Sequence, residues 1–151
     1  MITAAEIMTR EVVTLRPEAS AAAAARLLLD NRISAAPVLD EEGHLVGILS
    51  ERDLLASPSK SSLRGQWLRF FDDEAACLEE LATARKLKVG DLMTRDVAAV
   101  SDRTPIDVVA RMMHRRKIKR VPVVSDGTLV GIVSRADLIA ALVGKSPVGR
   151  Q

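Results

Sequence analysis

Two copies of one pattern run through this chain, and that repetition constrains its fold more than any other feature. Ile7-Met8-Thr9-Arg10-Glu11-Val12-Val13 aligns with Leu92-Met93-Thr94-Arg95-Asp96-Val97-Ala98 at an offset of 85 residues, and the same offset pairs Ile33 with Ile118 and Pro37-Val38 with Pro122-Val123. One residue then drops out of the second copy. Gly43-His44-Leu45-Val46-Gly47-Ile48-Leu49-Ser50-Glu51-Arg52-Asp53-Leu54 matches Gly127-Thr128-Leu129-Val130-Gly131-Ile132-Val133-Ser134-Arg135-Ala136-Asp137-Leu138. Chance supplies one such block; three in order at a near-constant offset mark an internal repeat.

Each copy reads as β-α-β-β-α. Val12 to Leu15 and Val97 to Val100 are expected as short first strands. Thr104-Pro105-Ile106-Asp107 opens a helix, with Thr104 as N-cap and Pro105 at the first helical position. Val108, Val109, Met112 and Met113 then form an apolar stripe, with Asp107, Arg111, His114 and Arg115 facing away. The first copy has Pro17-Glu18-Ala19-Ser20 followed by a helix from Ala21 to Leu29. A hairpin follows in each copy: Ala36 to Leu39 with Leu45 to Leu49 around Glu41-Glu42-Gly43, and Val121 to Val124 with Leu129 to Val133 around Asp126-Gly127. A helix from Glu51 or Arg135 closes each copy. A unit of about 50 residues is too small to bury a comfortable core alone, so the two copies are expected to pack as one pseudo-two-fold α/β (α+β) module.

These limits divide the chain into a first repeat at 3–57, a connecting segment at 58–87, a second repeat at 88–143 and a tail at 144–151. The connection begins in a Ser/Pro/Lys-rich stretch from Ser57 to Ser62 and holds all the aromatic residues, Trp67, Phe70 and Phe71. Asp72 or Asp73 can cap a helix there carrying Ala76, Leu78, Leu81 and Ala82. So apolar a cluster is expected to cover the module, a dimer seam or a partner site.

The repeat, with its Met-Thr opening, its Ile-x-x-hydrophobic-Pro-Val strand and its closing Gly-x-x-Ser-x-x-Asp, resembles the CBS-domain family, named after cystathionine β-synthase. The resemblance covers about residues 3–57 and 88–143, and stand-alone bacterial pairs are the nearest in plan. It implies a regulatory, ligand-sensing module that binds an adenine nucleotide (AMP, ADP or ATP) in the cleft between the two repeats and signals to a partner by a conformational shift. S-adenosylmethionine is the alternative ligand, and a ligand-free dimerisation or protein-interaction module the alternative role. The resemblance also implies that adenine lies against the first strand, at Val13 or Ala98, and against the residue before proline, Ala36 of Ala36-Pro37 or Val121 of Val121-Pro122. Lys119 and Arg120 stand where nucleotide-binding relatives carry phosphate contacts; the first copy has Ser34 and Ala35 there.

The residues themselves suit such a ligand. Ser50 with Asp53, and Ser134 with Asp137, sit where a strand passes into a helix. A helix N-terminus offers free N–H groups and partial positive charge. The serine hydroxyl can donate to a phosphate or ribose oxygen, and the aspartate one turn on can accept from a ribose diol, as acids do in dinucleotide sites. The same Ser-x-x-Asp spacing would equally serve as a capping box. Nothing points to catalysis. His44 and His114 lack histidine or cysteine partners at ligand spacing, so no metal is expected, and no Ser-His-Asp or Cys-His set is apparent. No cofactor is required on this reading.

Charge and composition narrow the partners. There are 22 basic and 20 acidic residues, a balance that does not suggest nucleic acid despite the run from His114 to Arg120. The repeat strands also lack the aromatic platforms of single-strand binders. With Cys77 the single cysteine, no intrachain disulfide can form. No apolar run approaches the ~18 residues of a membrane span and the N-terminus lacks a signal-peptide pattern, so a cytoplasmic protein is expected. The closing helices, apolar at Leu54 and Leu55 and at Leu138, Ile139 and Leu142, are expected to stack in a homodimer.

Overall fold

Eleven short helices and strands are present in the computed structural model, which describes residues 1–55 and 86–147. In chain order they are α1 (Ala4–Ile7), α2 (Ala21–Asp30), β1 (Ala35–Leu39), β2 (Leu45–Ser50), α3 (Glu51–Leu55), α4 (Val89–Leu92), β3 (Val100–Ser101), α5 (Ile106–Arg116), β4 (Arg120–Ser125), β5 (Thr128–Ser134) and α6 (Arg135–Leu142). The expectations for Trp67, Phe70, Phe71 and the Asp72 or Asp73 cap lie outside the described residues.

The described residues gather into two compact units that do not coincide with the two sequence copies. One, the β4–β5 unit, takes Met1–Val13, Glu41–Leu45 and the chain from Asp96 onward. The other, the β1–β2 unit, takes the described residues of Thr14–Asp40 and Val46–Arg95. Each hairpin is therefore closed by the opening of the other copy. Thr9 and Ile132 exchange backbone hydrogen bonds at 2.8 and 3.0 Å, and Thr94 and Ile48 do the same at 2.9 and 3.0 Å. A glycine makes each junction possible. A Cβ on Gly131 would collide with the Met8 side chain and lie 3.0 Å from the Thr9 carbonyl oxygen, and one on Gly47 would meet Met93 and the Thr94 carbonyl oxygen in the same way. The repeated Gly of the closing motif and the repeated Met-Thr of the opening are two halves of one fit.

In the β4–β5 unit a three-stranded sheet runs in the order β3-β4-β5, with β4 parallel to β3 and antiparallel to β5. Asp126 and Gly127, both at positive φ, make the tight turn between β4 and β5 that suits a right-twisted hairpin. Ala4, Ile7, Met8, Val100, Val109, Met113, Val121, Val123 and Val133 form the buried core. The helical stripe is narrower than its spacing suggests: Val109 and Met113 are buried, while Val108 is 40% exposed. Residue burial at this level contributes roughly 1.5–3 kcal/mol for each large apolar side chain.

In the β1–β2 unit α2 is capped by Ser20, whose hydroxyl accepts from the Ala23 N–H, and it buries Ala21, Ala24 and Leu28. The opening of the second copy joins it: Ala21 donates to the Leu87 carbonyl and Val89 to the Ala19 carbonyl.

Three local expectations change. The strand expected over Val12 to Leu15 reduces to one parallel bridge between Leu15 and Val38, and that over Val97 to Val100 to β3. Pro105, not Thr104, occupies the N-cap of α5. Thr104 instead accepts from the Ser101 N–H at 3.1 Å, a turn bond that withdraws its hydroxyl from capping.

Candidate functional site

β5 ends at Ser134 because the next residues find a better use for their backbone groups. The Ser134 hydroxyl accepts from the Asp137 N–H at 3.2 Å. In return, Asp137 Oδ2 accepts from the Ser134 N–H at 2.9 Å and from its hydroxyl at 3.0 Å. This reciprocal box starts α6. Asp137 is 1% exposed and Ser134 8%, so a carboxylate is held inside the unit, where hydrogen bonds must offset its lost hydration.

The two cations of the second copy stand beside this box. Arg120 is directly opposite Ser134 across the β4–β5 ladder, and the Arg135 N–H donates to the Lys119 carbonyl at 3.0 Å. Lys119 is exposed and Arg120 half-buried. The last turn of α5, the left-handed residue Lys117 and the start of β4 thus deliver Lys119 and Arg120 to the edge where α6 begins. Chemically the group pairs hydrogen-bonding oxygens with positive charge, a set suited to a sugar hydroxyl next to a phosphate.

The first copy builds the same box without the cations. Asp53 Oδ2 accepts from the Ser50 N–H and hydroxyl at 2.9 and 3.1 Å, and Asp53 N–H donates to Ser50 Oγ at 3.3 Å. Ser34, at the position of Lys119, accepts from the Glu51 N–H at 2.9 Å. Asp53 has one contact that the spacing did not foretell: its Oδ1 accepts from the hydroxyl of Thr94 at 3.2 Å. The repeated Met-Thr was legible as a motif, but its threonine carried no signal for a bond to the aspartate 41 positions earlier in the chain.

The apolar residues divide. Ala36, Pro37, Val121 and Pro122 are buried strand residues, and Val121 and Pro122 form part of the wall of their unit. Val13 and Ala98 are half-buried. By compact unit, Asp137, Ser134, Lys119, Arg120, Val121, Pro122, Ala98 and Val13 fall together, whereas Ser50, Asp53, Ala36 and Pro37 belong to the other.

This arrangement has close counterparts. A family model for the CBS domain matches twice, over residues 4–60 and 89–144, and the chain belongs to the CBS-domain family. It is 40% identical over 131 residues to the uncharacterized protein MJ1426 of Methanocaldococcus jannaschii, covering 78% of each chain. The crystal structure of CBSX2 in complex with AMP superposes with a TM-score of 0.74 at 30% identity, covering 95% of this chain and 97% of that one; of the full-length CBSX2 of Arabidopsis thaliana the chain spans 57%. The CBS domain pair of protein MJ0100, in complex with 5′-methylthioadenosine and S-adenosyl-L-methionine, superposes at 0.69 with 28% identity over 95% of this chain and 98% of that one. Among the described residues no helix is long and apolar enough to cross a membrane.

Proposed function

We propose that this chain is a non-catalytic regulatory protein that binds an adenine nucleotide and relays its occupancy to a partner. The observation that carries the reading is the placing of Lys119 and Arg120 beside the Ser134–Asp137 box within one unit. Asp137 and Ser134 supply hydrogen bonds to ribose, the two cations neutralise phosphate, and half-buried Val13 and Ala98 offer apolar surface to the base. The AMP held by CBSX2 supports this ligand class. The S-adenosyl-L-methionine held by the MJ0100 pair favours a second reading, in which the ligand is a sulfonium adenosyl compound without phosphate; Lys119 and Arg120 argue against it, because they would face a cation.

Binding is expected to stabilise the fold. A ligand at a hundred times its dissociation constant adds about 2.7 kcal/mol, enough to raise a melting curve by several degrees. AMP, ADP, ATP and S-adenosylmethionine are to be compared by melting and calorimetry, with native mass spectrometry of the purified protein for a carried-over ligand. Response to the nucleotides supports the proposal. Silence with all four leaves a ligand-free interaction module.

The working form is a cytoplasmic homodimer. Ile139, Leu142 and Val143 at the end of the chain's closing helix are 64%, 83% and 67% exposed, a surface that a second copy would cover by isologous packing. Sedimentation at micromolar concentration is expected to give a dimer, and Ile139→Glu with Leu142→Glu a monomer. A monomer for the unsubstituted chain would exclude this assembly.

A further inference from the structure

The overall balance of charge hides a strong asymmetry. Of the 22 cations and 20 acids, 13 cations and 18 acids lie in residues 1–107; residues 108–151 hold the remaining nine cations with two acids, Asp126 and Asp137. Asp137 is buried in its box, and no acidic residue stands between Asp107 and Asp126. The fold gathers these cations at one edge of the β4–β5 unit. Arg115 and Arg116 end α5. The Ile118 N–H donates to the Met113 carbonyl at 3.1 Å, folding the chain back over that last turn, and the Arg135 N–H donates to the Lys119 carbonyl at 3.0 Å, bringing in the start of α6. His114, Arg115, Arg116, Lys117, Lys119 and Arg135 are all exposed.

The fold does not need this charge. In the β1–β2 unit the Ile33 N–H donates to the Leu28 carbonyl at 3.0 Å and the Glu51 N–H to the Ser34 carbonyl at 2.9 Å, the same two bonds at equivalent positions. Arg32 and Lys117 share a left-handed φ of 54°. Yet that unit carries Asp30, Asn31 and Glu51, all exposed, where the second copy has Arg115, Arg116 and Arg135. Cations in the last turn of α5 complement its dipole, but Arg135 lies in the first turn of α6, where the dipole disfavours a cation. Neither chain geometry nor capping accounts for the whole set.

We propose that this edge docks the protein that the chain regulates, and that the segment it receives is acidic. That the docked protein is regulated rests on the reading above; the surface itself does not. A carboxylate-bearing peptide fits better than other polyanions. None of the described residues is Phe, Tyr or Trp, so the edge offers no aromatic platform for a nucleic-acid base. An anionic membrane would need exposed apolar anchors among the cations, whereas Met113 is buried and Ile118 half-buried.

Fluorescence anisotropy with a labelled octaglutamate peptide, in nucleotide-free buffer at about 0.15 M salt, tests the surface. The chain is expected to bind octaglutamate and to ignore octaglutamine. Arg115→Asp, Arg116→Asn and Arg135→Glu combined place the first copy's residues on the second. This variant should melt close to the unsubstituted chain and bind octaglutamate at least tenfold more weakly, since each exposed ion pair is worth up to about fivefold in an equilibrium. Arg116→Glu and Arg103→Glu make the same charge change at opposite ends of α5, about 16 Å apart and some two screening lengths at this salt. Only Arg116→Glu should weaken the peptide, by threefold or more, and this pair keeps the test readable should the triple variant fold poorly. Equal affinity for the two peptides, undiminished affinity in the folded triple variant, or equal losses from Arg103→Glu and Arg116→Glu would overturn the proposal. So would tighter binding of an oligonucleotide of equal charge or of phosphatidylserine vesicles. A fall in sedimenting mass in the triple variant would make the edge a contact between copies of this chain, and would overturn it too. These titrations contain no nucleotide, so their failure leaves the nucleotide reading to the melting comparison above, and failure there leaves the docking surface standing.

Discussion

Gly131→Val is expected to lower the free energy of unfolding by about 2–3 kcal/mol, at the upper end of the cost of overpacking a filled core. The new Cβ would run into the Met8 side chain, with Met8 Cγ at 2.7 Å and the Thr9 carbonyl oxygen at 3.0 Å. Met8 is 4% exposed and has little room to retreat. The carbonyl is held by the Ile132 N–H at 3.0 Å and cannot withdraw without breaking that bond. Shortening the obstacle should relieve part of the loss. In urea denaturation, Met8→Ala combined with Gly131→Val is expected to cost less than the sum of the single changes, by at least about 0.5 kcal/mol, the coupling seen between residues in contact. Strict additivity would mean that these two residues, 123 positions apart in the chain, do not touch.

Loss of the paired cations is the second large effect. Lys119→Ala with Arg120→Ala is expected to weaken ATP about a hundredfold and adenosine hardly at all. Each charge-assisted contact removed costs about 1.5–3 kcal/mol, or at least tenfold per residue. Asp137→Ala should instead weaken ATP and adenosine alike, because the diol is common to both. Raising the salt concentration should reproduce the cation pattern in the unsubstituted chain, reducing ATP affinity and sparing adenosine. The place of Arg120 opposite Ser134 makes the paired comparison informative. If the double variant loses both ligands equally, Lys119 and Arg120 are solvated surface and contribute to folding alone.

Much of this was legible in the sequence, and for identifiable reasons. Hairpins announce themselves through their turns: Asp126-Gly127 allowed only a tight connection, and both strands flanking it appeared within a residue or two of their expected limits. The closing helices began at Glu51 and Arg135 as the motif required. Partnership was not legible. An offset of 85 residues says which positions are equivalent, and equivalence carries no information on which of two similar openings fills which of two similar hairpins. The first strands were misjudged because Val12 to Leu15 has strand-forming residues, yet the segment makes a single bridge, from Leu15 to Val38, in place of a strand. The Ser-x-x-Asp motif was ambiguous for a physical reason: the atoms that cap a helix are those that would meet a ribose. At Asp137 the structure resolves the capping half of that pair of roles.

The traded openings also govern the order in which the chain can fold. A nascent chain that has emerged as far as Leu55 already carries Met8 and Thr9, but the hairpin they close, β4–β5, has not yet been made. Its finished β1–β2 hairpin in turn waits for Met93 and Thr94. The β1–β2 unit waits until the chain has reached Arg95, and the β4–β5 unit needs Met1–Val13 as well as the chain from Asp96, so both depend on closing long loops, which slows folding far more than it weakens the folded state. Cutting the chain between its two sequence copies would therefore yield two fragments, each with an opening that fits the other's hairpin and a hairpin that its own opening does not serve. Such fragments are built to find one another.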